Sequence, residues 1–140
     1  MMEPLLLTTV PVSTFLGEKS LSSASGFFFE RDGRVFLVTS RHVLNDIPTG
    51  HRPDRVQIEY HNDPGNLAKS NVLSIPLYRG DTALWVQGVD AGGEVDVAVI
   101  ELDHAAPGSG APLCSFTPEH LESALAQIEV GTSVLVVGFP

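Results

Sequence analysis

The sequence predicts an all-β fold: an antiparallel β-barrel of six or seven strands in one domain spanning 1–140, with a single short helix over 117–127. Short apolar, β-branched and aromatic runs recur at fairly even spacing, separated by clusters of Gly, Pro, Asp and Asn. Strands and turns alternate in this way in sandwiches and barrels. Hydrophobic residues at 43% and charged residues at 18% of 140 residues are enough for one core and too apolar for a disordered chain. The 13 glycines and 10 prolines are dispersed, so they punctuate turns and build no low-complexity segment.

Taken in order, the expected strands are 5–15, 26–30, 34–40, 55–60, 71–77, 82–87, 96–102 and 132–138. The clearest hairpin is FFFE-RDG-RVFLVTS, where Asp32-Gly33 tolerates positive φ and lets the chain reverse between two apolar strands. In VDVAVIEL (95–102) both alternating faces are mostly apolar, which predicts a strand buried on both sides. Residues 41–45 have room for one helical turn. In TPEHLESALAQ (117–127) Thr117 can cap, Pro118 suits the first helical position, and Glu119 and His120 fall in the first turn.

The formal net charge is −9, with only eight Lys and Arg in total, so a nucleic-acid partner is not expected. The acidity reads as a solubility device. A single cysteine, Cys114, excludes an internal disulfide and favours a reducing compartment; nothing around it prepares a nucleophile, so it reads as a buried or loop thiol. No segment reaches the roughly 18 apolar residues that span a bilayer. Leu5–Leu7 is short, follows Glu3 and lacks the basic start of a signal peptide. The expectation is a cytoplasmic protein with no membrane partner.

Two places invite chemistry. In Thr39-Ser40-Arg41-His42-Val43 an apolar strand ends and a histidine follows at once. Asp96 is a carboxylate in a strand that is otherwise Val, Ala and Ile. A charge on a doubly buried strand is costly unless paired, so Asp96 demands a partner. An imidazole N–H suits it, since the carboxylate then fixes the tautomer and leaves the other ring nitrogen free to take a proton.

The other candidates have simpler explanations. His51 and His61 flank the strand 55–60, and His104 and His120 lie in polar segments. His61-x-Asp63 is the nearest approach to a metal-ligand spacing and reads as a solvated turn. No metal and no cofactor is expected. Trp85, alternating with Leu84 and Val86, reads as a barrel-wall residue.

Ser25-Gly26-Phe27-Phe28 followed by Phe36-Leu37-Val38-Thr39-Ser40-Arg41-His42-Val43 resembles the strand–turn–strand leading to the catalytic histidine of trypsin-like serine peptidases. Asp96-Val97-Ala98-Val99-Ile100 resembles that family's aspartate segment. Gly131-Thr132-Ser133-Val134 through Gly138-Phe139-Pro140 resembles the strand closing the first barrel in bacterial-type members. Three landmarks in the right order cover nearly the whole chain. The resemblance implies that His42 is a general base and Asp96 its orienting carboxylate in a serine endopeptidase acting on a peptide or protein substrate.

The family's serine belongs to a Gly-x-Ser-Gly turn on a second barrel, and nothing in the chain matches it. Ser109, between Gly108 and Gly110, lies on a proline-flanked loop between the aspartate segment and the closing strand. Ser25 sits on the strand leading towards His42. The 140 residues therefore read as an amino-terminal barrel that is inactive alone. Two rival expectations stand beside this: a non-catalytic peptidase-like binding module in which His42 and Asp96 form a structural hydrogen bond, and self-association through an exposed interdomain face.

Overall fold

The computed structural model describes residues 4–61, 63, 65–66, 68–102, 112, 114–122, 130–131, 133 and 136–139. It is mostly β. The strands are β1 (Thr9–Leu16), β2 (Lys19–Arg31), β3 (Arg34–Thr39), β4 (Arg55–Tyr60), β5 (Asn71–Pro76), β6 (Tyr78–Arg79), β7 (Thr82–Ala83), β8 (Trp85–Asp90) and β9 (Gly93–Glu101). The helices are short: α1 (Pro4–Thr8), α2 (Arg41–Leu44), a 3-10 turn at Ile47–Thr49, and α3 (Pro118–Glu122).

Seven strands form one sheet in the order β5-β4-β1-β2-β3-β9-β8, every neighbouring pair antiparallel. Alternation sets the register. On β1 Val10, Val12 and Thr14 point inward, and on β4 Val56, Ile58 and Tyr60 do the same. Phe28, Leu37, Ala98 and Ile100 continue that face across β2, β3 and β9, and Val43 and Leu44 of α2 cap it. The apolar residues among these make one buried cluster with Leu77. Each fully buried Leu, Ile, Val or Phe contributes about 1.5–3 kcal/mol relative to exposure.

The Asp32-Gly33 hairpin forms as expected, with φ of 53° and 75° at its two turn residues and Phe29 paired with Phe36. Gly26 has a different task. A Cβ there would lie 2.9 Å from the Val38 carbonyl oxygen and 3.0 Å from Leu37 Cδ1, so β2 and β3 approach closely only because the side chain is missing.

The expected barrel is present only as far as this sheet, which is not closed among the described residues: β5 and β8 are its two edges there and no ladder between described residues joins them. Pro76 ends β5 without an N–H to donate, and the small β6–β7 hairpin, turned at Gly80, forms its own two-stranded sheet before β8. A backbone bond, Leu84 N–H to the Leu77 carbonyl at 2.9 Å, links the flanks of the two edges. A cleft of about 330 Å³ remains between β5 and the end of β9, lined by Leu73, Ile75, Ile100 and Leu102 among others.

Other expectations need correction. The strand expected over 5–15 is a helical turn, α1, and then β1; Pro4 can open a helix, Leu is a good helix former, and the alternating pattern starts only near Val10. β2 begins at Lys19, well before the expected start at 26, through a Ser-rich stretch with no apolar alternation. The run 82–87 is split into β7 and β8 at Leu84. The helix expected over 117–127 is described as α3 (Pro118–Glu122), with Thr117 just before it; 123–127 lie outside the described residues. The strand 132–138 falls partly outside them, and its described residues are not in a strand.

Candidate active site

β3 ends opposite β9, with Thr39 paired to Ala98. Ser40, at φ −75° and ψ 141°, leaves the sheet and starts α2, whose first turn lies beside β9. Asp96 shares the inward face of β9 with Ala98 and Ile100 but is exposed, past the last β3 pair at Thr39 and Ala98. The sheet register and one helical turn thus bring residues 54 positions apart together.

Both carboxylate oxygens of Asp96 are engaged by His42. Nδ1–H donates to Oδ2 at 2.7 Å, and the backbone N–H donates to Oδ1 at 2.9 Å. An ionised carboxylate only accepts, so Nδ1 carries a ring hydrogen, and in the neutral ring the lone pair then falls to Nε2. The Asp96 carboxyl is held below its ordinary range, chiefly by the side-chain hydrogen bond from His42 and next by the His42 backbone N–H. The charges of His42 and Arg41 add to this, against slight desolvation.

Asp96 is not the doubly buried group the alternation suggested. Its side chain is 51% exposed and that of His42 57%. On β9 only Ala98 and Ile100 are buried, while Val97 is exposed, because one face of that strand packs on the core and the other is uncovered at this end. The pairing was anticipated, but burial is not its cause.

Nε2 carries no hydrogen bond among the described residues. Beside His42 runs an open groove of about 350 Å³, walled by Ser22, Ser23 and Ala24 of β2 and by Val43, Asp46, Thr49 and His51. Ser22 Oγ is committed to Thr14 Oγ1 at 2.6 Å. Ser25 Oγ accepts the Phe139 N–H at 2.6 Å, tying the chain's last described residue to β2. Ser109 and its flanking glycines lie outside the described residues, as does His104.

The remaining described histidines serve backbone. His51 Nε2 meets the Val43 carbonyl at 2.9 Å, bracing the loop behind α2, and His61 Nδ1 meets the Lys69 carbonyl at 2.9 Å. His120 Nδ1 accepts the Thr117 N–H at 2.9 Å, taking the role of the acidic member of a capping box. Trp85 is partly buried against the core, and Cys114 is a free, partly buried thiol. Among the described residues no three His, Cys, Asp or Glu gather as metal ligands, and no helix is long and apolar enough to cross a membrane.

Sequence reasoning missed the groove wall at Ser22–Ala24, which lies in the polar start of β2, and missed Arg41. The arginine adjoins His42 in the chain, but its reach back to Asp96 (3.9 Å from Nε to Oδ1) depends on the helical turn.

Chemically, the pair can take a proton at Nε2 and hold the resulting imidazolium against a carboxylate. Comparison of the chain with protein-family models, curated proteins and solved structures gave no match.

Proposed function

We propose that this chain is the amino-terminal barrel of a trypsin-like serine endopeptidase, with His42 the general base and Asp96 its orienting carboxylate. The observation that carries the reading is the hydrogen bond from His42 Nδ1 to Asp96, with Nε2 unbonded among the described residues on a half-exposed ring that lines a groove. Acyl transfer needs this tautomer: Nε2 accepts the proton of an attacking serine hydroxyl and returns it to the leaving amine, while the carboxylate stabilises the imidazolium between the two steps. The nucleophile and the oxyanion-binding amides belong, in this reading, to a second barrel outside the 140 residues. Closure of the sheet across β5 and β8 into a full barrel is part of the same proposal.

The rival, a purely structural His–Asp bond in a binding module, is less well supported by the geometry. A His–Asp contact with both side chains about half exposed contributes at most about 1 kcal/mol even when the ring is charged, so it gives the fold little reason to hold both groups in this geometry.

The test is the coding sequence beyond Pro140. A Gly-x-Ser-Gly segment within roughly one further domain length, about 100–150 residues, is expected. The extended protein should be labelled by a fluorophosphonate, with labelling abolished by His42→Ala, while the 140-residue chain alone is not labelled. A stop codon directly after Pro140, or labelling of the chain alone, overturns the proposal.

A further inference from the structure

We propose that Arg41 is a positioning residue for the His42–Asp96 pair, linking the carboxylate to the far end of the helical turn that carries the imidazole. The proposal rests on the base-and-carboxylate reading above and adds a member that neither the motif nor the alternation pattern indicated.

The Arg41 side chain is 30% exposed and lies along α2. Nη1 donates to the Asn45 carbonyl at 2.7 Å, closing the one-turn helix at its C-terminal end. Nε lies 3.9 Å from Asp96 Oδ1, close enough for an ion pair but too far for a hydrogen bond. It is also a buried donor with no hydrogen-bond partner. A buried, unpaired N–H is costly, and the Asp96 Oδ1 at 3.9 Å is an acceptor that a small shift would bring within hydrogen-bond distance. Oδ1 already takes the His42 backbone N–H, and a carboxylate oxygen has a second lone pair to offer.

Two consequences follow from this placement. The guanidinium favours the anionic carboxylate, the form that accepts from Nδ1. Because its planar fork holds Asn45 and faces Asp96 at once, it also resists rotation of the carboxylate away from the ring. Lysine could supply the charge but not the fork.

Nuclear magnetic resonance of the whole 140-residue chain separates these contributions. The readouts are solvent exchange of the His42 Nδ1–H, the carboxyl-carbon titration of Asp96, and exchange of the Asn45 amide, which bonds the Arg41 carbonyl at 3.0 Å and reports whether α2 is intact. With Arg41→Gln the Nδ1–H should exchange up to about fivefold faster, the range expected for a partly exposed charge pair, and the Asp96 titration should move up towards the ordinary carboxylate range. With Arg41→Lys the titration should stay near that of the parent while Nδ1–H exchange still rises.

Two outcomes overturn the proposal: Arg41→Gln leaves both Asp96 and the Nδ1–H unchanged, or both variants shift every signal only in step with Asn45. The second would mean that Arg41 merely holds α2 together. Failure of the underlying reading looks different. In that case the parent protein shows no Nδ1–H signal that Asp96→Ala removes, and both ideas fall together.

Discussion

Gly26→Ala tests why the strand pair leading to His42 has its shape. The added Cβ would sit 2.9 Å from the Val38 carbonyl oxygen, 3.0 Å from Leu37 Cδ1 and 3.2 Å from Val12 Cγ2. The closest atom is backbone of the strand that delivers His42, so no side-chain rotation relieves it. Overpacking of this kind costs about 1–3 kcal/mol. For a chain of this size that lowers the thermal midpoint by roughly 3–12 °C, at about 3–4 °C per kcal/mol. Adding Val12→Ala should not restore the loss, because that removes only the third-nearest contact. Gly33→Ala is the informative comparison: its Cβ would meet nothing within 4 Å, but φ is 75°, so its cost is left-handed strain of about 1–2 kcal/mol without a clash. The measurement is thermal unfolding followed by circular dichroism. A Gly26→Ala midpoint within 1 °C of the parent, or full rescue by Val12→Ala, would refute the close-approach argument, taking about 1 °C as the smallest shift that decides.

Four further outcomes follow from the same geometry. Asp96 has its folded carboxyl below the unfolded value of 3.8, so its contribution to stability is fully present above that pH and fades as pH falls through the lower folded value. Denaturation of the parent and Asp96→Asn should therefore differ near neutrality and converge in acid; a gap that widens below pH 3.8 would contradict the sign. His51→Ala removes the bond to the Val43 carbonyl and should cost about 1 kcal/mol in urea unfolding, and an unchanged midpoint would remove His51 from the support of α2. Val72, Val86 and Val89 are largely exposed on the edge strands β5 and β8, so sedimentation velocity at rising concentration should show self-association, and a clean monomer throughout would count against it. Thr117→Pro removes the N–H that His120 Nδ1 accepts and should loosen the start of α3, seen as faster amide exchange at His120; unchanged exchange would show that the cap is dispensable.

The sequence made some of this legible for reasons that can be named. Val35, Leu37 and Thr39 alternate cleanly, and Ser40 then breaks the strand, so a histidine just past a strand end could be read directly. Asp96 pointed to a partner because it interrupts an apolar run. The run itself misled, since valines 95 and 97 suggested a covered face that the structure leaves largely open. Alternation says which residues share a face, not whether anything packs on it. Lys19–Ser25 could not be recognised as strand from Ser22 and Ser23, because its stability comes from pairing with β1, including the Thr14–Ser22 hydroxyl bond. The helix at Pro4–Thr8 was hidden by three leucines, which suit a strand as well as a helical turn. Closure of the sheet is a long-range property. It depends on where Pro76 and the β6–β7 hairpin send the chain, and no local pattern reports that.

The central claim is that Asp96 holds His42 in the tautomer that leaves Nε2 free to act as a base. Nitrogen-15 spectra of the His42 ring test it most directly. The protonated nitrogen should be Nδ1, with a low-field proton that disappears in Asp96→Ala while the fold persists. A ring protonated at Nε2, or an Nδ1–H signal indifferent to the loss of Asp96, would contradict the account.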